Sequence, residues 1–293
     1  APSAVKSKKH SANIVYFFSA QYNRFLNFSG NFLRAATLHA IFRSTARRKS
    51  VIMKSENLIA DAKGDCIAMR IRRKPWARPE LAACPYFFEP AYEHRGTWHR
   101  HFARPAQPMY LELGIGKGAF IAQAAAAHPE INYMGVDIKS DIIGVARRRV
   151  EAEFAAVHRT PDNVVLTAFD IARLPLAMSE ADGAARIYIN FCNPWPTGSD
   201  HKKRLTHPRQ LMLYRNVLAD GGEIHFKTDS DALFNSSLGY FSECGFTVTQ
   251  LTRDLHAHPV PDDYVTEHEL MFSEQGVPIK FCIARKDPLP TAP

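Results

Sequence analysis

The stretch that joins an apolar run to three closely spaced glycines reads MYLELGIGKG, from Met109 to Gly118. The run 109–113 predicts a buried strand, and the alanine-rich stretch 119–128 predicts a helix. Glycine lets the backbone turn tightly and come close to a ligand, and the first turn of a helix presents free N–H groups. The stretch therefore predicts the first strand, loop and helix of an α/β sheet, with a ligand-binding loop at the carboxyl end of the strand.

Strand and helix patterns alternate from this stretch onward. Further strands are predicted at 133–137, 164–169, 187–191, 223–227, 246–251 and 279–284, and further helices at 140–158, 207–218 and 231–244. This order predicts an α/β fold in which a doubly wound, mostly parallel sheet carries helices on both faces. Prolines and aromatic residues dominate 75–108, which predicts an extended, irregular segment leading into the sheet.

The 293-residue chain has the composition of a globular protein, with 46% apolar and 23% charged residues. Its formal charge is +8, but residues 1–55 hold ten Lys or Arg and no Asp or Glu. The remaining 238 residues carry 27 basic and 29 acidic side chains. Because this body has almost no net charge, a surface that binds nucleic acid must concentrate its positive charge locally.

The composition divides the chain into four parts. Residues 1–68 are expected to form a tail, 69–108 an irregular N-terminal arm, 109–286 the folded domain and 287–293 a C-terminal tail. The Arg- and Ser-rich, acid-poor tail is either an organellar transit peptide or translated upstream sequence before a natural start at Met53 or Met69. The basic residues of 70–78 are either a flexible arm that holds RNA or a solvated extension.

Five cysteines lie far apart, and none forms a C-x-x-C pair or has a zinc-type spacing to histidine. This pattern predicts a reducing compartment and no structural metal. The longest apolar runs are shorter than a bilayer span. We therefore expect a cytoplasmic protein without a membrane partner, or an organellar one if residues 1–68 are a transit peptide.

Three acids lie at the predicted carboxyl ends of successive strands. Glu112 precedes a G-x-G-x-G loop, a spacing more usual for S-adenosylmethionine than the G-x-G-x-x-G of dinucleotide-binding folds. Asp137 ends the second strand, where a carboxylate can accept both ribose hydroxyls, and Asp170 comes at the end of the third, where it can accept the adenine amino group. One such acid is often a helix cap, whereas three beside a topological switch point predict a cofactor site.

The fourth strand runs into a turn fixed by two prolines, NPWP at 193–196. The turn should present Asn193 and Trp195 at the sheet edge opposite the methyl donor, where Trp195 can stack on a flat base. The basic run after it contains Lys202, Lys203 and Arg204, and its position predicts a grip on a phosphate backbone. The simpler alternatives are a connecting turn with a core tryptophan and a solvated basic face.

Five motifs in this order resemble the bacterial tRNA (guanine-N7-)-methyltransferase family: Glu112-Leu113-Gly114-x-Gly116-x-Gly118, Asn193-Pro194-Trp195-Pro196, Lys202-Lys203-Arg204-Leu205, Phe226-Lys227-Thr228-Asp229 and Thr266-Glu267-His268-Glu269. The resemblance covers about residues 69–286. It implies a seven-stranded Rossmann-like methyltransferase sheet whose last strand is antiparallel. It also implies transfer of a methyl group from S-adenosylmethionine to N7 of a guanine in the tRNA variable loop.

The resemblance implies roles for single residues as well. The expected cofactor-binding set is Glu112, Gly114, Gly116, Gly118, Asp137, Asp170 and Asn193. The expected substrate-contacting set is Asp229, Thr266 and Glu269, to which the base-stacking and basic-run interpretation adds Trp195, Lys202, Lys203 and Arg204. Asn193 stands where most members have a catalytic Asp, and Thr197-Gly198-Ser199-Asp200 stands where they have Lys, Arg and His.

The chemistry tolerates asparagine at position 193. Guanine N7 has a free lone pair at neutral pH, so its attack on a sulfonium methyl needs no general base, and alignment supplies most of the catalysis. Asn193 is therefore expected to position the guanine through its carbonyl, which can accept a hydrogen bond from the base edge. Asp229 or Glu269 would supply an acidic contact for the positive charge that develops on the base.

Other functions stay open on the sequence alone. Asn-Pro-Trp is similar to the turn of methyltransferases that modify exocyclic amines, although the missing second proline and the Thr-x-x-Glu argue against them. The loop spacing disfavours an NAD-dependent oxidoreductase. An RNA-binding module without catalysis would agree with the two departures from the family pattern. The oligomeric state, monomer or homodimer, and the set of tRNAs are not encoded in these motifs.

Overall fold

The computed structural model describes residues 73–288. The expected tail over 1–68, the basic residues Arg70 and Arg72, and the end of the C-terminal tail, 289–293, lie outside the described residues. Between 73 and 288 no helix has the length and apolar character needed to cross a membrane. Within the same range, no three His, Cys, Asp or Glu side chains come together in a way that could hold a metal ion.

One sheet forms the centre of the fold. Its strands are β1 (Met109–Leu113), β2 (Asn132–Asp137), β3 (Val164–Ala168), β4 (Ala184–Asn190), β5 (Leu218–Thr228), β6 (Phe246–Thr252) and β7 (Lys280–Lys286). Their order across the sheet is β3-β2-β1-β4-β5-β7-β6. All neighbouring pairs are parallel except those of β7, which is antiparallel to both β5 and β6. The prediction of a doubly wound, mostly parallel, seven-stranded sheet with an antiparallel last strand is confirmed.

Helices cover both faces of the sheet. They are α1 (Ala77–Ala82), α2 (Ala119–Ala127), α3 (Ser140–Ala156), α4 (Pro208–Val217), α5 (Asp231–Glu243) and α6 (Glu267–Glu274). One core joins α1, α2 and α3 to the sheet through residues such as Leu81, Ile121 and Val150. The other joins α4 and α5 to it through Leu211 and Phe241. A parallel sheet needs this double cover because its strands are apolar on both sides.

The segment 75–108 is not the extended lead-in that the sequence predicted. It contains α1 and two 3-10 helices, Ala91–His94 and Trp98–His101. Pro79 is compatible with α1 because it lies in the first turn, where a backbone N–H has no helical partner. Trp98 is fully buried, and its indole N–H donates to the Ala177 carbonyl at 2.7 Å. Aromatic burial therefore folds this segment against the sheet.

Strands β4 and β5 both begin earlier than predicted. Residues 218–222 include an Asp-Gly-Gly sequence that is typical of a turn, yet they belong to β5. A Cβ on Gly222 would come within 2.9 Å of the Ala219 carbonyl oxygen and 3.1 Å of that of Ala185. Glycine thus permits a close approach of the backbones that local turn signals do not reveal.

Helix α6 was absent from the sequence prediction. Thr266 caps its first turn, with Oγ1 accepting the Glu269 N–H at 3.2 Å, and the Glu269 carboxylate accepts the Thr266 N–H at 3.4 Å. This reciprocal pair is a capping box, which the Thr-x-x-Glu spacing encodes. The motif that carried part of the family resemblance is therefore also the start signal of a helix.

Candidate active site

The glycine loop connects β1 to α2 at the point where the strand order reverses. Gly114, Gly116 and Gly118 have φ angles of +83°, +52° and +75°, which only glycine adopts without strain. A Cβ on Gly118 would come within 2.6 Å of the Ala146 Cβ, so this glycine permits α2 to pack on α3. A Cβ on Gly116 would meet nothing within 4 Å. The loop therefore leaves open space beside Gly116, where a ligand can approach the backbone.

Glu112 lies at the switch point between β1 and β4 and is only 4% exposed. Its Oε1 accepts a hydrogen bond from Nδ2 of Asn190 at 3.1 Å, whereas Oε2 is buried without a hydrogen-bond partner. Burial raises the pKa of Glu112 to about 8, although the Asn190 hydrogen bond and the nearby Lys227 act in the opposite direction. A buried carboxyl with one oxygen unpaired is suited to a cationic ligand.

The acids at the ends of β2 and β3 have different partners. Asp137 accepts the N–H of Gly116 at 3.0 Å and that of Lys139 at 3.2 Å, and burial outweighs these bonds and raises its pKa. It thereby ties the glycine loop to the end of β2. Asp170 accepts the Ala172 N–H at 3.0 Å and caps the 3-10 helix Ile171–Leu176. Asp170 thus has the capping role that the sequence left open, and its contact with adenine stays a prediction.

The turn after β4 presents a polar group and an aromatic ring. Asn193 is exposed, and its Oδ1 accepts the Trp195 N–H at 3.1 Å. Phe191 and Trp195 have φ angles of +50° and +42°. Aromatic residues rarely adopt this region, and such strain is concentrated at functional sites. The half-exposed ring of Trp195 lies 4.7 Å from Nζ of Lys203, within the range of a cation–π contact.

The structure divides the basic run into surface and interior residues. Lys202 and Lys203 are exposed, and Lys203 pairs with Asp200 at 2.7 Å. Arg204 is only 2% exposed, and its guanidinium donates to the carbonyls of Pro194 at 2.8 Å and Trp195 at 3.2 Å. The expectation that Arg204 contacts a phosphate is therefore wrong, because its side chain is enclosed by the turn that it holds.

Glu269 also differs from its expected role. Its side chain is fully buried, with Oε2 2.7 Å from Nζ of Lys227 and Oε1 3.0 Å from Nε2 of His256. Lys227 pairs as well with Asp263 at 2.7 Å and donates to the Tyr264 carbonyl at 3.3 Å. These contacts fasten α6 and the segment before it to the end of β5. Both oxygens of Glu269 therefore have protein partners.

Asp229 follows β5 and is half-buried at the same edge of the sheet. Burial raises the pKa of Asp229, partly offset by a hydrogen bond from its own backbone N–H and by the nearby Lys280 and His268. Its backbone carbonyl accepts a hydrogen bond from Nζ of Lys280 at 2.9 Å. The resemblance implied that Asp229, Thr266 and Glu269 contact the substrate. Asp229 is the one of these three that does not belong to the capping box of α6.

A cavity of about 150 Å³ lies between the glycine loop and the start of α6. Its lining includes Glu112, Gly114, Gly116, Lys117, Asn190, Phe191, Thr266, Glu267 and His268. Ligand pockets usually measure about 300–1,000 Å³, so this cavity can enclose one part of a ligand. A larger cavity of about 240 Å³, beside Arg95 and Val217, lies away from the carboxyl ends of the strands, where ligands of such sheets bind.

Several residues of the site were not singled out by the sequence analysis. Asn190 and Lys117 line the cavity, and Lys227 joins β5 to α6. Asp263 pairs with Lys227, and His256 pairs with Glu269. The Asn190 and Lys227 positions could have been found from their place at the carboxyl ends of buried strands. Asp263 and His256 lie between β6 and α6 and carry no local signal.

Comparisons with known proteins show which family the sequence resembles. The chain matches a family model described as "Putative methyltransferase" over residues 106–282. A tRNA (guanine-N(7)-)-methyltransferase of Clostridium perfringens strain SM101 is 52% identical over 218 residues, which are 74% of this chain and 100% of that protein. The Clostridium beijerinckii protein of the same name is 50% identical over 219 residues, covering 75% of this chain and 100% of that protein.

Among solved structures, the 16S rRNA methyltransferase KamB aligns with a TM-score of 0.46 and 14% identity, over 62% of this chain and 89% of that chain. The similarity to the two clostridial proteins extends over their whole length. The chain belongs to the tRNA (guanine-N(7)-)-methyltransferase family.

Proposed function

We propose that this chain transfers a methyl group from S-adenosylmethionine to N7 of a guanine in the variable loop of tRNA. One observation carries the proposal. The buried Glu112, with an unpaired oxygen, lies one strand away from the strained turn that presents Asn193 and Trp195. An acid for a cationic cofactor and a platform for a flat base thus meet at the switch point of the sheet.

The residues at this edge fit S-adenosylmethionine. The free Oε2 of Glu112 suits an ammonium group, and the open backbone of Gly116 permits close approach. Asp137 lies at the end of β2, where a ribose would be held, and the exposed Ile138 beside it offers an apolar surface to an adenine ring. Bound S-adenosylmethionine supplies a methyl group on a positively charged sulfur, which the guanine N7 lone pair can attack without a general base.

The turn after β4 would position the guanine. Because Oδ1 of Asn193 already accepts the Trp195 N–H, its Nδ2 is the free donor, and guanine O6 beside N7 is the acceptor that it would meet. This revises the expected contact through the carbonyl of Asn193. Trp195 offers its half-exposed ring for stacking, and it would receive a base extruded from the tRNA core.

An acid near the base would stabilise the positive charge that methylation creates. We assign this role to Asp229, because Glu269 is fully buried and its two oxygens contact Lys227 and His256. Lys202 is exposed beside the turn and is available to a tRNA phosphate. Such a substrate also means that the reaction takes place in the cytoplasm, or in an organelle that holds tRNA.

The test is methyl transfer to unmodified tRNA. The protein is incubated with a tRNA transcript and labelled S-adenosylmethionine, and the product is cleaved with borohydride and aniline, which act at N7-methylguanosine. We expect cleavage at one variable-loop guanine. In single-turnover assays, Asn193→Ala should lower the rate about 10-fold or more, as loss of a positioning hydrogen bond does. Asn216→Ala, at an exposed position on α4, is the matched control. Labelling without cleavage, or no labelling, would refute the proposal.

A further inference from the structure

We infer that Lys117 binds the carboxylate of the cofactor's methionine part, and that Glu267 competes with this carboxylate for Lys117. The inference rests on the proposed cofactor. It gives roles to Lys117 and Glu267, two residues to which the family resemblance assigned none. It is carried by the charges that line the cavity, by the two ion pairs of Glu267, and by the size of the space between them.

The cavity has opposite charges at its buried and exposed ends. Glu112 lines the cavity, is almost fully buried and has one oxygen without a hydrogen-bond partner, and the same cavity is lined by Lys117, whose side chain is 57% exposed. Desolvation beside the cavity and the positive charge of Lys117 both lower the pKa of the nearby His268, although Glu267 and Asp229 oppose this shift. An amino-acid group carries one ammonium and one carboxylate. Glu112 matches the ammonium, and Lys117 is the cation in this lining that matches the carboxylate.

Glu267 already supplies Lys117 with a carboxylate. Its Oε2 lies 3.3 Å from Nζ of Lys117, and its Oε1 lies 2.5 Å from Nη1 of Arg149 on α3. Burial opposes ionisation of Glu267, but the two cations outweigh it and hold its pKa below the ordinary value. Glu267 is therefore charged at neutral pH and joins α6 to both the glycine loop and α3 across the mouth of the cavity.

The contact between Lys117 and Glu267 can be exchanged at low cost. Both side chains are well exposed, and ion pairs of this kind contribute little to stability. If Lys117 turns to a ligand carboxylate, Glu267 still pairs with Arg149. The contact of Glu267 with Arg149 is shorter than its contact with Lys117. No charge is left unpaired by the exchange. The cavity of about 150 Å³ would also widen at this contact, because Glu267 and Lys117 line it from opposite sides.

The test compares two ligands that differ in the amino-acid part. S-Adenosylhomocysteine carries the ammonium and carboxylate, and 5′-methylthioadenosine carries neither. Calorimetric titrations of the full chain should show that Lys117→Gln weakens S-adenosylhomocysteine binding about 10- to 30-fold, the value of one charge-assisted hydrogen bond. The affinity for 5′-methylthioadenosine should stay within about 2-fold, since that ligand does not reach Lys117. Glu267→Gln should strengthen S-adenosylhomocysteine binding, because it removes the competing carboxylate. Arg285→Gln, which removes one exposed positive charge on β7, should change neither affinity.

Each outcome has one meaning. Selective loss with Lys117→Gln and gain with Glu267→Gln support the inference. An equal effect of Lys117→Gln on both ligands, no effect on either, or weaker binding in Glu267→Gln would overturn it. If the unaltered chain bound neither ligand, the proposed cofactor itself would be wrong. Because both positions are exposed, thermal melts of the variants should match that of the unaltered chain.

Discussion

Glu112 and Glu269 are both buried carboxyls near the carboxyl edge of the sheet, but their surroundings differ. Glu269 has Lys227 and His256 on its two oxygens and a backbone N–H besides. Glu112 has one amide hydrogen bond, and its second oxygen has no partner. A fully paired buried carboxylate fixes structure, whereas an incompletely paired buried carboxyl is costly to ionise and is retained where a ligand pairs with it. The comparison separates the scaffold of this site from its binding group.

The scaffold should show the largest effect on stability. Lys227→Met would remove the cation from the half-buried Asp263 and leave the buried Glu269 with His256 as its one side-chain partner, so we expect the free energy of unfolding to fall by about 3–5 kcal/mol. Urea unfolding measures this change. Lys286→Met is the matched control, because Lys286 pairs with the fully exposed Asp220 and its loss should cost at most about 1 kcal/mol. Equal losses in both variants would show that Lys227 does not carry the scaffold.

The binding group should make stability depend on pH. Glu112 binds its proton more tightly in the folded protein, where its pKa is about 8, than in the unfolded chain. Stability from this group is therefore present at acid pH and is lost as the pH rises toward 8. Between pH 5 and 8 the unaltered chain should lose about 3 kcal/mol relative to Glu112→Gln. Unfolding curves at several pH values measure the difference, and parallel pH profiles would contradict it.

The same substitution should remove a ligand contact. Glu112→Gln keeps an oxygen for the Asn190 amide but cannot ionise when a cationic group enters the cavity that this residue lines. We expect S-adenosylhomocysteine to bind about 30- to 100-fold more weakly, in the range of a lost hydrogen bond to a charged group. Calorimetry provides the measurement, and Glu130→Gln, at an exposed residue, provides the control. Unchanged affinity would place the ammonium of the ligand elsewhere and would remove the contrast with Glu269.

The two regions also differ in how far the sequence could predict them. The apolar run 109–113 and its three glycines are local signals, and β1, the loop and α2 lie almost where they were predicted. Helix α6 has eight residues, too few for a strong apolar period, and its capping box was interpreted only as a substrate motif. The pairing of Lys227 with Glu269 joins positions 42 residues apart. No local pattern encodes such a contact, so the scaffold had to be seen in three dimensions.

The basic run 202–204 contains both an exposed residue that can bind a ligand and a buried residue that holds the structure. The exposed residue, Lys202, has the smallest expected effect. Lys202 is exposed, so Lys202→Met should weaken tRNA binding a few-fold and reduce the dependence of log Kd on log salt by about one phosphate contact. Arg204 holds the Pro194 and Trp195 carbonyls from inside the turn. Arg204→Met should therefore lower the methylation rate and leave the salt dependence unchanged. Filter binding of tRNA over a series of KCl concentrations, together with single-turnover rates, separates the two. A reduced salt dependence in Arg204→Met would show that Arg204 contacts a tRNA phosphate directly, because a residue that acts only by holding the turn releases no counterions.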